Sequence, residues 1–165
     1  MSDVSSVARG RGILALIGAL AGVALWALID VLPELPQNDR LILALATAAA
    51  AFFAPLLVMI GPLPAPRAVL GEAGMAAPLT LLMTTASLRF DTVEGFAETG
   101  HPLVALFLAI AVPVPFLIAG LGAPARWWDY AALFTAAWNV LVRATAALIF
   151  VGVFWALVYL SDTLL

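Results

Sequence analysis

A chain of 165 residues is long enough for one domain, but 65% of it is hydrophobic and only 10% charged. A water-soluble fold of that composition would expose large apolar patches, so the sequence predicts a single polytopic membrane domain over 1–165. A net charge of -3, with seven basic residues scattered from Arg9 to Arg143, excludes nucleic acid; the absence of Cys excludes disulfides, thiolate catalysis and Cys-based metal sites.

A bilayer core about 30 Å thick is crossed by roughly 20 apolar residues of helix. Blocks near that length run over 12–32, 41–61, 68–88 and 102–120, with a further apolar stretch at 144–160. The expected fold class is therefore all-α, a transmembrane helical bundle of about five spans. Arg9 and Arg11 precede the first span and Asp30, Glu34 and Asp39 surround its far end, which places the N-terminus in the cytoplasm. The apolar run exceeds the roughly 7 to 15 residues of a signal peptide, so it is expected to be retained; the small residues around Ala19 and Ala21 are what a cleaved signal would use. Gly18 and Gly22, backed by Ala15 and Ala19, form a small-residue face that permits close helix approach, and internal packing is its expected use.

The linker from Pro33 to Arg40 suits an exposed turn between antiparallel helices. The second span returns inward to Gly61-Pro62-Leu63-Pro64-Ala65-Pro66-Arg67, which its prolines should keep non-helical. The third span runs outward, weakened at Pro78, to the polar stretch Arg89 to His101. There Asp91, Glu94 and Glu98 would share one helical face and Phe90, Val93, Phe96 and Ala97 largely the other, which fits a short amphipathic helix as well as an acidic loop. Pro102 opens the fourth span, Pro113 and Pro115 predict a kink within it as Pro55 does in the second, and Gly122, Pro124 and Arg126 mark the inner return.

The remainder from Trp127 is too long for one perpendicular span. An arginine at the bilayer centre costs about 2.5 to 3.5 kcal/mol on insertion scales. The favoured arrangement therefore lays 127–142 along the inner interface, lets 144–160 cross, and makes Arg143 an inner charge with Arg9, Arg11, Arg67 and Arg126. Trp127, Trp128, Tyr130 and Trp138 would then form an inner aromatic belt, with Trp26, Trp155 and Tyr159 near the outer one. The competing arrangement is one long tilted helix whose Arg143 faces a protein partner.

Leu133 to Leu160, with Ala137-Trp138-Asn139 and the pair Phe154-Trp155, and Ser87 to Phe90 upstream, resemble the bacterial family of multi-pass membrane proteins called domain of unknown function 4153. The resemblance extends over most of the chain after Arg11. It implies a bacterial inner-membrane location and a helical bundle, and it brings no catalytic residues with it.

Few residues could carry chemistry. Glu72 lies about one turn inside the third span between Gly71 and Gly74; an ionisable group there must pair, protonate or face a cavity. Pairing with Arg67, Arg126 or Arg143 is the expected state, and a proton-relay or ion site the alternative. Asn139 and Arg143, four apart, would share a helix face that could bind a lipid phosphate or a partner carbonyl; anchoring to a lipid headgroup is the main expectation and simple snorkelling the alternative. His101 is the only histidine, which rules out a multi-histidine metal site. Thr80, Thr84, Thr85 and Ser87 form a hydroxyl stripe expected to bond preceding carbonyls. No nucleophile and base, and no paired carboxylates, stand at useful spacing, and no cofactor is expected. The expectation is a non-catalytic accessory, structural or assembly subunit that packs against membrane lipids and other integral membrane proteins. The alternative is a small transporter or channel component using Glu72.

Overall fold

The computed structural model describes residues 2–32, 39–122, 124 and 128–164, with side chains from Gly10 onward. The expected external turn over 33–38, the inner positions of Arg126 and Trp127, and the side chain of Arg9 lie outside the described residues. Among those described the fold is all-α, without a strand. Hydrocarbon supplies no hydrogen bonds, so each apolar block must satisfy its backbone internally, and a helix does so within one segment. Five segments are long and apolar enough to cross a membrane: Gly10–Val31, Asp39–Met59, Ala65–Ser87, His101–Gly122 and Tyr130–Leu164.

Helix α1 (Ser2–Trp26) continues into a wider π-helical turn, Ala27–Val31, and runs antiparallel to α2 (Asp39–Met59). Leu28 and Ile29 lie beside Ile42, while Ile17 joins Leu56 and Met59. Helix α3 (Ala65–Ser87) pairs closely with α2, and these two form the centre of the bundle. The proline loop between them is shorter than expected, because α3 already begins at Ala65. Pro64 takes an extended conformation just outside the helix and Pro66 sits in its first turn, where a missing N–H breaks no helical bond. Pro55 and Pro78 are carried inside α2 and α3 without ending them.

After α3, Thr92 accepts a hydrogen bond from the Gly95 N–H at 3.1 Å and starts the short helix α4 (Val93–Glu98). Phe96 turns inward and meets Phe90 edge-on, ring centroids 5.3 Å apart, while Asp91, Glu94 and Glu98 stay exposed. Of the two forms open to the acidic stretch, the structure has the amphipathic helix. The fourth span divides into α5 (His101–Ala111) and α6 (Pro113–Gly122). Pro113 and Pro115 cannot donate to the carbonyls four residues earlier, so two helical bonds are missing within three residues and the helix is interrupted at Val112.

The core gathers toward the end where α2 hands over to α3. Ile17, Leu56, Met59, Ile60, Leu63, Ala68, Met75, Val114, Ile118 and Ala136 form one cluster there. The last helix, α7 (Tyr130–Leu164), is continuous over 35 residues, about 52 Å. That overturns the favoured division into an interfacial piece and a separate span. Nothing breaks the helix around Arg143: its neighbours Val142, Ala144, Thr145 and Ala146 are ordinary helix residues, and no proline or glycine intervenes before Gly152. Tyr130, Phe134 and Trp138 accordingly stack along one face, with centroids 6.2 and 6.5 Å apart. Spread over about 12 Å of helix axis, Tyr130 and Trp138 make a stripe along the helix rather than a belt at one depth.

Candidate functional site

The site lies at the handover from α2 to α3. Met59 O accepts from the Leu63 N–H at 3.0 Å, closing a tight turn in which Gly61 has φ +118°, a conformation that glycine alone adopts cheaply. The last carbonyls of a helix have no intrahelical partner and form the negative pole of its dipole. At the end of α2 these groups meet a cation. Arg143 donates from Nη1 to Val58 O and Ile60 O, both at 3.4 Å. A Cβ on residue 61 would stand 2.9 Å from Arg143 Nη1, so glycine also makes room for the guanidinium. A second arginine does the same for α6: Arg67 donates to Leu121 O at 3.2 Å.

Thus Arg143 faces a partner within its own chain. The long stem reaches back toward the N-terminus of α7, the direction helical side chains take, and ends on the carbonyls of α2. Arg143 thus donates to backbone carbonyls of its own chain, whereas Asn139, one turn earlier, is exposed and has no hydrogen-bond partner among the described residues.

Glu72 differs from the expectation. It is 0% exposed, and neither carboxylate oxygen has a hydrogen-bond partner among the described residues. The expected pairing with Arg67 or Arg143 does not form; both guanidinium groups donate instead to carbonyls at helix ends. Arg126 lies outside the described residues. Glu72 shares the buried face of α3 with Ala68, Met75 and Ala76. Its neighbour Gly71 is pressed against Leu121 and Met59, and a Cβ there would come within 2.7 Å of Leu121 Cδ1. Small residues at 68, 71 and 76 thus flank the carboxyl on α3, and Gly71 lets Met59 of α2 and Leu121 of α6 approach beside it. An unpaired ionised carboxylate in such a place costs several kcal/mol even after relaxation.

The remaining candidates do not join this site. Thr80, Thr84, Thr85 and Ser87 all donate to carbonyls three or four residues earlier in α3, as expected. His101 is exposed and borders a shallow apolar crevice with Phe90, Phe96 and Pro102 at the opposite end. No three His, Cys, Asp or Glu side chains converge to hold a metal among the described residues. The internal packing expected of Gly18 and Gly22 is not found: a Cβ on either would meet nothing within 4 Å. Helix α1 touches the bundle through a different stripe that includes Ile17.

Gly61 and the three carbonyls were not legible as site groups. A Gly-Pro step marks a turn, but nothing in it announces a cation arriving from residue 143, and backbone acceptors have no sequence signal. Comparison of the chain with protein-family models, curated proteins and solved structures finds no match.

Proposed function

We propose that the chain is a non-catalytic integral membrane protein, an accessory or assembly subunit whose last helix packs against a partner membrane protein. The observation that supports this is the second half of α7. Every residue from 145 to 164 is exposed, about 30 Å of largely apolar helix that buries no residue against the other described elements. Within lipid, helices associate through close packing and interhelical hydrogen bonds rather than through water exclusion. The bundle gives this segment neither. Its upstream half is held, by Ala136, Val140 and Arg143, so the free half is presented on a fixed base. The open Gly18 and Gly22 face of α1 is a second surface of the same kind.

The orientation belongs to the same proposal. Arg11, Arg67 and Arg143 stand at one end of the bundle against Arg40 and Arg89 at the other, an excess of basic residues that favours the first end facing the cytoplasm. The resemblance to the domain of unknown function 4153 family supports the bacterial inner membrane as the location.

The chain contains no Cys, so single cysteines at Leu148, Ile149 and Phe150, which are exposed and point about 100° apart around α7, would be its only thiols. Each is to be labelled with a photoreactive maleimide in native membranes. The expected result is cross-linking from one helical face to one protein that also co-purifies stoichiometrically in mild detergent. Lipid adducts alone, equal from all three positions, would overturn the proposal.

The buried carboxyl of Glu72 favours a second reading, a small transporter or channel component. Purified protein in liposomes would then move protons or a solute, and Glu72→Gln would abolish the flux.

A further inference from the structure

We infer that Glu72 is a buried proton-binding site, a carboxylic acid enclosed on α3 that exchanges its proton when the α2–α3 turn end of the bundle opens. The inference is independent of the partner-packing proposal. It is a precondition of the transport reading but does not require transport.

Three observations carry it. The side chain is completely enclosed and both oxygens lack a partner, so among the described residues no donor or cation satisfies a negative charge. Of the expected cations, the two among the described residues bond elsewhere: Arg67 to Leu121 O and Arg143 to Val58 O and Ile60 O. The elements packed against α3 offer no others. Between Leu41 and Met59, α2 carries no titratable side chain, and neither do α5 and α6 between Pro102 and Gly122. Asp39, Arg40 and His101 stand at the far end of these helices, and Arg11 on α1 is exposed. A buried charge needs a counter-charge and hydrogen bonds, and a neutral acid escapes that requirement by keeping its proton. A metal ion does not fill the role, since no cluster of acidic or imidazole ligands converges among the described residues.

The route for exchange is local. Gly71 lets α3 lie close against Leu121 and Met59, and the ends of α2 and α6 beside it are each tied down by one arginine. Release of either arginine frees a cation at the same end of the bundle as Glu72, where it can meet the carboxylate left behind. Protonation of Glu72 and capping of the two helix ends are then coupled: the arginines stay on the carbonyls while Glu72 is neutral.

The test is infrared spectroscopy of the full chain in lipid at neutral pH. Wild type is expected to show the carbonyl stretch of a protonated carboxylic acid, shifted in D2O and lost in Glu72→Gln. Absence of any Glu72-dependent acid band overturns the inference. Should Glu72→Gln fail to fold, wild type is treated with a lipid-soluble carbodiimide, which adds across a protonated carboxyl and rearranges to a stable N-acylurea. Adducts mapped to Glu72, falling off in alkaline buffer and exceeding those on Asp91, Glu94 and Glu98, support the inference. Adducts confined to the other acidic residues, or none, overturn it. An acid band without proton flux in liposomes would leave the site standing and remove only the transport reading.

Discussion

Replacing Arg143 with Leu separates two physical roles that make opposite predictions. If the arginine is merely tolerated in lipid, leucine relieves an insertion cost of about 2.5 to 3.5 kcal/mol and α7 gains. If it caps α2, the variant leaves Val58 O and Ile60 O without their donor and α7 loses its attachment. A cation at a helix C-terminus contributes about 0.3 to 1 kcal/mol when exposed and up to about 2 when partly buried. Both bonds here are long at 3.4 Å and the arginine is exposed, so about 1 kcal/mol is the working value. That shifts the ratio of docked to undocked α7 by roughly fivefold. Val58 and Val140 line the same crevice between α2 and α7, so cysteines at these two positions, the only thiols in the chain, report docking through the yield of a short bismaleimide cross-link. The yield at limiting reagent should fall in Arg143→Leu, by up to about fivefold as the undocked form comes to predominate, and partly recover in Arg143→Lys. An unchanged or higher yield in Arg143→Leu would refute the capping argument.

Gly61→Ala should weaken the same attachment, because an L-residue at φ +118° is strained by about 1 to 3 kcal/mol and its Cβ displaces the guanidinium. Combined with Arg143→Leu it should cost less than the sum of the two, which a double-mutant cycle on cross-link yield will show. Glu72→Leu exchanges an unsatisfied buried carboxyl for an apolar side chain of similar reach, so the unfolding midpoint in detergent should rise rather than fall. Thr92→Ala removes the side-chain cap of α4 at a cost of about 1 kcal/mol and should speed amide exchange over residues 93–98 while leaving α3 and α5 protected.

The all-α class, the number of long apolar segments and the approximate limits of the first four could be read directly, because hydrophobic length and proline placement are local properties. The Pro113 and Pro115 break and the carbonyl-bonded hydroxyls of α3 were legible for the same reason. Arg143 shows where such reasoning ends. From its own neighbours it is a charge in a greasy stretch, best moved to an interface by breaking the helix. Only the packed bundle brings the carbonyl pole of α2, some 83 residues away in sequence, within reach, and that partner allows α7 to stay whole. Glu72 fails in the opposite direction: a nearby arginine one turn away invites pairing, yet Arg67 and Arg143 donate instead to the ends of α6 and α2 and the acid is buried without them. Segment length and turn chemistry are written in consecutive residues, whereas the partner of a charge depends on which distant backbone groups the fold leaves unsatisfied, and that is a property of tertiary structure alone.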